Sequence, residues 1–124
     1  EQRIEEVLET FPNLKDFLNR KAVTLSGGER QMLVMARSLM RRPSLMLFDE
    51  PSANLSPKLS EIIFEEIKEL NEMGITIVFV EQNTRKALEI SEEAYLLVSG
   101  RVRFHGKAEE LASNKEFGRL FLGL

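Results

Sequence analysis

The chain has 124 residues, 43% of them hydrophobic and 30% charged, with a formal net charge of −3 and no cysteine. That length allows one domain-sized core and leaves no room for two. The composition excludes disulfides, a bilayer span (which takes about 20 apolar residues) and the clustered excess of Lys and Arg that binds nucleic acid. With no basic-then-apolar N-terminal segment either, the expectation is a soluble protein of a reducing, cytosolic compartment.

Taken in chain order, residues 4–10 set Ile4, Val7 and Leu8 among acidic residues, an amphipathic helical pattern that Pro12 ends. A second short helix with Leu14, Phe17 and Leu18 on one side is expected next, then a loop over 20–25. Ser26-Gly27-Gly28-Glu29 is a capping box, Ser-x-x-Glu, and predicts a helix from there to about Met40. Met32, Leu33, Val34, Met35, Ala36, Leu39 and Met40 make that helix apolar on nearly all sides, which predicts a central, buried position. Its methionines read as core filler. Arg41, Arg42 and Pro43 stop it.

Leu45–Phe48 is a continuous apolar run, the pattern of a strand covered on both faces in a parallel sheet. Ser56 is placed to cap a helix with Pro57 at its first position, where a missing N–H costs nothing. Leu59, Ile62, Ile63, Ile67 and Leu70 form the inner stripe of that helix, and Gly74 ends it. Ile75–Val80 reads as a second buried strand, followed by a helix over about 84–90. Residues 94–98 and 101–105 read as strands of a hairpin turning at Ser99-Gly100, and 108–112 and 115–122 as short helices. Strand, helix, strand, helix, strand predicts right-handed crossovers onto a parallel sheet.

Two strings carry chemistry. Asp49-Glu50 sits at the C-terminal end of a predicted buried strand, where ligands bind in open α/β sheets. Because side chains alternate along a strand, the two carboxylates cannot serve one role: one can hold Mg²⁺, usually through water, while the other can orient or deprotonate an attacking water. The alternative for a lone string of this kind is a polar strand end that begins an acidic turn. Ser26-Gly27-Gly28 places two glycines at a helix start, so that backbone N–H groups and the helix dipole face an anion such as a terminal phosphate. The capping box works without any ligand, so the glycine pair alone is weak support for a phosphate site.

Together and in this order, the strings resemble the ATP-binding cassette (ABC) family, the nucleotide-binding subunits of ABC transporters. Leu25-Ser26-Gly27-Gly28-Glu29 matches the family signature, Leu45–Glu50 its Walker B strand, and Pro51–Pro57 lies where the family has its D-loop. The resemblance covers essentially the whole chain. It implies an α/β fold, the C-terminal part of an ABC-type P-loop NTPase: a short parallel sheet flanked by helices, with a C-terminal hairpin and helices. On that reading residues 1–25 end a helical subdomain, 25–41 form the signature helix and 45–124 the C-terminal part of the core. No Gly-x-x-x-x-Gly-Lys-[Ser/Thr] phosphate loop (Walker A) occurs in the 124 residues, so the expectation is half of an ATPase site.

The resemblance further implies ATP and Mg²⁺ as cofactors, with Asp49 binding Mg²⁺ through water and Glu50 as catalytic base. The nucleotide-binding set it implies is Leu25, Ser26, Gly27, Gly28 and Glu29, facing ATP bound mainly by a second ATPase subunit in a homo- or heterodimer, with Asn54 and Ser56 from the D-loop between the two sites. The further partners are integral-membrane permease subunits, which hold the protein on the inner face of the cell membrane. Two positions depart from the family pattern. Gln82 stands where the family has its switch histidine, and can hydrogen-bond a phosphate oxygen without carrying a proton; Ser56 replaces the D-loop aspartate. Val80-Glu81-Gln82-Asn83, Phe11-Pro12-Asn13-Leu14 and Ser56-Pro57 look like the subunits of branched-chain amino-acid importers.

Gly106-Lys107 fails as a phosphate loop, with Arg101 five residues before Gly106 and Ala108 where Ser or Thr should follow. His105, the sole histidine, has no Cys or second His to share a metal and reads as a strand residue. The other readings are an ABC ATPase of chromosome-maintenance or repair type, against which the absence of coiled-coil heptads before residue 25 counts, and a non-catalytic interaction module. Sheet edges and apolar faces left without the phosphate-loop strand predict self-association.

Overall fold

The computed structural model describes residues 2–119, which form two compact units, residues 2–80 and residues 81–119, each with its own contacts. In the first unit, helix α1 (Gln2–Thr10) is followed by two short 3₁₀ turns, Pro12–Phe17 and Ala22–Thr24. The first turn stands where a helix was expected, Pro12 setting its start, and the second lies inside the expected loop. Val7, Phe11 and Leu14 are buried here, whereas Leu18 is 59% exposed. Arg3 anchors α1 twice: its guanidinium donates to the Leu39 carbonyl and to Glu6 Oε2, the latter at 2.6 Å. That hydrogen bond, with the charges of Arg42 and Arg3, holds the Glu6 carboxyl below its ordinary range against a smaller opposing effect of burial.

Helix α2 (Gly27–Leu39) starts at the predicted cap and ends at Met40. It buries one side, Gly28, Met32, Met35, Ala36 and Leu39, and not its whole circumference. Val34 is 49% and Met40 38% exposed, so the central position and the filler role expected of Met40 do not hold among the described residues. Those side chains instead border an apolar groove of about 570 Å³ shared with α1 and the 12–17 turn.

Strand β1 (Leu45–Asp49) pairs in parallel with β2 (Thr76–Val80), Leu47 opposite Val78 and Asp49 opposite Val80. Between them runs α3 (Pro57–Glu72), capped by Ser56 and ended by Gly74 at φ +88°. Its buried stripe is Ile63, Phe64, Glu66, Ile67 and Leu70; Phe64 and a carboxylate join the predicted set, whereas Leu59 and Ile62 of that set are only half-buried. The two strands are not covered on both faces. Met46 is buried, but on the opposite face Leu47 is 70%, Val78 53% and Val80 59% exposed. The apolar runs do mark the strands, yet among the described residues one face of the pair is open.

In the second unit, α4 (Thr84–Ile90) is capped by Asn83, whose side chain accepts from the Lys86 N–H. The predicted hairpin forms as β3 (Glu93–Val98) and β4 (Arg101–Lys107), an antiparallel pair in its own sheet, with a register irregularity at Leu96/Leu97. The third strand therefore does not join the parallel sheet. Ser99 at φ +50° and Gly100 at φ +73° make a turn with two left-handed residues, whose twist matches an antiparallel pair. Helices α5 (Ala108–Ser113) and α6 (Lys115–Phe117) follow; the expected end of the last helix, beyond 119, lies outside the described residues. His105 is a strand residue, stacked on Tyr95 with ring centroids 4.0 Å apart and 3.8 Å from Glu93 Oε2.

Candidate functional site

The capping box around Ser26 is complete. Ser26 Oγ accepts from the Glu29 N–H at 3.3 Å, and Glu29 Oε2 accepts from the Ser26 N–H at 2.7 Å. Glu29 thus belongs to the helix start and holds it without a ligand. The N–H groups of Gly27 and Gly28, first in the helix, have no carbonyl a turn earlier to bond. They point along the positive end of the helix dipole, the arrangement that receives phosphate oxygens. Leu25 is buried beneath this turn, while Ser26 and Gly27 are exposed.

The two glycines differ in surroundings. A Cβ on Gly27 would meet only Leu55 Cδ2, at 3.6 Å, an ordinary contact. A Cβ on Gly28 would lie 2.9 Å from Leu59 Cδ1 and 3.0 Å from its Cδ2. The expectation that both glycines serve only a phosphate is therefore too simple: Gly28 is buried against the first turn of α3. Leu55 of the 51–57 segment and Leu59 of α3 are the side chains nearest the glycine turn, a relation that motif spacing does not reveal.

Asp49 is the last residue of β1 and is exposed, on the same face as Leu47. Glu50 continues the ladder by one bond, its N–H donating to the Val80 carbonyl at 2.8 Å, and then adopts φ +45°. This left-handed conformation is uncommon for glutamate and costs about 1 kcal/mol or more. The Glu50 carbonyl accepts from the Ala53 N–H at 3.0 Å, closing the turn that holds it. Asn54 repeats the left-handed geometry at φ +59°, a conformation asparagine tolerates, and Ser56 Oγ accepts from the Leu59 N–H at 3.4 Å. Ser56 is thus the cap of α3, a role Asp would fill equally well. Among the described residues no three His, Asp or Glu side chains gather as a cation cage. A divalent ion at Asp49 would take that carboxylate with water and phosphate oxygens, the mode in which Mg²⁺ is commonly held.

Gln82 falls in the second unit. It is exposed, and its carbonyl accepts from the Thr84 N–H at 2.8 Å and from Thr84 Oγ1 at 3.2 Å, which fixes the backbone just before α4.

The chain thus carries a capped helix start with two glycines, and two adjacent carboxylates at the end of a parallel strand. A family model described as "ABC transporter" matches residues 1–53. The chain belongs to the ATP-binding domain family of ABC transporters. Its sequence is 54% identical over 123 residues to the probable branched-chain amino acid transport ATP-binding protein LivF of Archaeoglobus fulgidus, covering 98% of this chain and 52% of that protein. It is 42% identical over 121 residues to the high-affinity branched-chain amino acid transport ATP-binding protein BraG of Pseudomonas aeruginosa, with the same coverages of 98% and 52%. The chain thus spans about half the length of the curated relatives it matches. Among solved structures, an ATP-binding cassette of an ABC transporter in its ADP conformation superposes with TM-score 0.82 at 27% identity, over 99% of this chain and 50% of that one. A dimeric cassette in a post-hydrolysis state bound to ADP and Pi superposes with TM-score 0.72 at 33% identity, over 86% and 46%.

Proposed function

We propose that these residues are part of an ATPase subunit that powers import through a membrane permease, with branched-chain amino acids as the transported class. The observation that carries this reading is the phosphate-ready turn Ser26–Glu29 together with Asp49-Glu50 at the end of β1, in a sequence similar to named branched-chain amino acid transport proteins over 98% of its length. Bound Mg²⁺ supplies charge neutralisation on the phosphates of ATP. In the site, Asp49 orients the waters around the ion. Glu50, held off the strand alternation by its left-handed backbone, accepts a proton from the attacking water. The N–H groups of Gly27 and Gly28, with the Ser26 hydroxyl, bind a terminal phosphate presented by a second ATPase subunit. The dimeric form of the related cassette bound to ADP and Pi supports this pairing. Asn54 and Ser56 form the segment between the two sites, and Gln82 hydrogen-bonds a phosphate oxygen without shuttling a proton. Docked on its permease, the subunit would lie on the inner face of the membrane.

The phosphate loop and its lysine are absent from the 124 residues, so this chain by itself hydrolyses no measurable ATP. A phosphate-release assay tests the reading. The complete subunit is expected to turn over ATP and its Glu50→Gln variant to lose about 10²-fold or more of that rate. Unchanged turnover in Glu50→Gln would refute the assignment of the base. Nucleotide-dependent release by the 124-residue chain, abolished by Glu50→Gln, would refute its inactivity.

A further inference from the structure

Gly28 is glycine for a reason other than its backbone: its φ is not among the positive values, which belong to Gly74 and Gly100. What a side chain would meet there is Leu59, whose Cδ1, Cδ2 and Cγ would lie 2.9, 3.0 and 3.2 Å from a Cβ on Gly28, so that the end of the leucine would have to turn aside. Leu59 is also the residue whose N–H the Ser56 hydroxyl caps at 3.4 Å. One residue therefore closes the start of α3 and fills the space at the start of α2. Leu55 flanks Gly27 more loosely, its Cδ2 3.6 Å from where a Cβ would stand. A shift of one helix N-terminus against the other changes how this half-buried leucine is seated, because side-chain packing responds to displacements of tenths of an ångström.

We propose that Leu59 is a positioning residue, seated on Gly28, that makes the phosphate-binding turn and the 51–57 segment move as one body when a second subunit presents its nucleotide. This rests on the function proposed above. In that setting Leu59 touches neither nucleotide nor metal; it sets where the Gly27 and Gly28 N–H groups stand relative to the segment that faces the other subunit. Gly28 then has two constraints at once, an open N–H on one side and the Leu59 methyls on the other, whereas Gly27 has only the first.

The test has two arms, neither of them read by hydrolysis. The first is a double-mutant cycle on unfolding of the complete subunit with Gly28→Ala, Leu59→Ala and both together. Gly28→Ala is expected to be destabilising, and adding Leu59→Ala to recover at least about fivefold in the unfolding equilibrium. The second is ATP-driven dimerisation of the complete subunit carrying Glu50→Gln, followed by sedimentation. Leu59→Ala should weaken dimerisation by about tenfold through misplacement of the turn, while Leu59→Met, which refills the space, stays within about twofold of the parent. Independent, additive effects in the cycle overturn the proposed contact. Coupling in the cycle with undiminished dimerisation of Leu59→Ala leaves ordinary packing and overturns the positioning role. A Glu50→Gln parent that does not dimerise with ATP overturns the proposed function itself, and this inference with it. Should Gly28→Ala fail to fold, the contrast between Leu59→Ala and Leu59→Met decides alone.

Discussion

Replacing Glu66 by methionine should make the protein more stable at pH 8 and leave it nearly unchanged at pH 4.5. Glu66 lies in the buried stripe of α3 among Ile63, Ile67 and Leu70, 7% exposed, and its Oε2 has no hydrogen-bond partner among the described residues. Burial, with a smaller contribution from the charge of Glu69, pushes its carboxyl from the ordinary 4.5 up to about 7. The folded state therefore favours the protonated form. Its favourable contribution is fully present below about pH 4.5, declines as the unfolded chain ionises first, and is lost once pH passes about 7. At 1.36 kcal/mol per pH unit the ceiling is about 3.4 kcal/mol; water reaching a carboxylate at the end of a flexible side chain reduces this to about 1.5–2 kcal/mol. Methionine matches glutamate in helix propensity and fills an apolar site of similar volume. Urea unfolding of the parent and Glu66→Met at pH 4.5, 6 and 8 measures the difference, and the pH dependence of every other group cancels in it. A stability difference that does not change with pH, or that falls as pH rises, would refute a buried, unpartnered carboxyl.

Ser26→Ala should cost about 1 kcal/mol, and Glu29→Ala should cost less in that background than alone, because the two hydrogen bonds of the capping box are reciprocal; equal costs in a urea-unfolding cycle would contradict this. Gly74→Ala should cost about 1 kcal/mol from backbone strain alone, since nothing lies within 4 Å of its Cβ position, and Gly74→Asn should cost less because asparagine tolerates φ > 0; the reverse order in thermal unfolding would count against the αL ending of α3. Leu47→Lys, on the exposed apolar face of β1, should lower self-association of the 124-residue chain with a stability change within about 0.5 kcal/mol. Sedimentation velocity checks it, and an unaltered distribution would locate the association elsewhere.

Much of the site was legible because its signals are local. Ser26 and Glu29 lie three residues apart, and a helix start can satisfy itself from within one turn, so the capping box reads directly from the string. Ser56-Pro57 and Ser99-Gly100 read the same way, each a turn or cap decided by the conformational preferences of two residues. The run Leu45–Phe48 ending in Asp49-Glu50 likewise identifies a strand delivering carboxylates. What remained illegible depends on contacts between distant residues. The coverage of β1 was misjudged because an apolar run states that a strand can be buried and cannot name the surface that buries it. The 94–98 strand forms the hairpin that Ser99-Gly100 announces, a local pairing with a small loop-closure cost, while the strand order of the sheet is not written in any such local signal.

The amino-acid sequence by itself determined the family and the helix caps, since these rest on the chemistry of neighbours in the chain. Only the tertiary structure decided that Gly28 answers to Leu59, thirty-one positions away, that Glu66 sits in an apolar stripe with its Oε2 unpartnered among the described residues, and that Glu50, at φ +45°, bonds the end of β2. Each of those depends on which surfaces come within van der Waals or hydrogen-bond distance, and helical or strand periodicity specifies a face without specifying what that face meets.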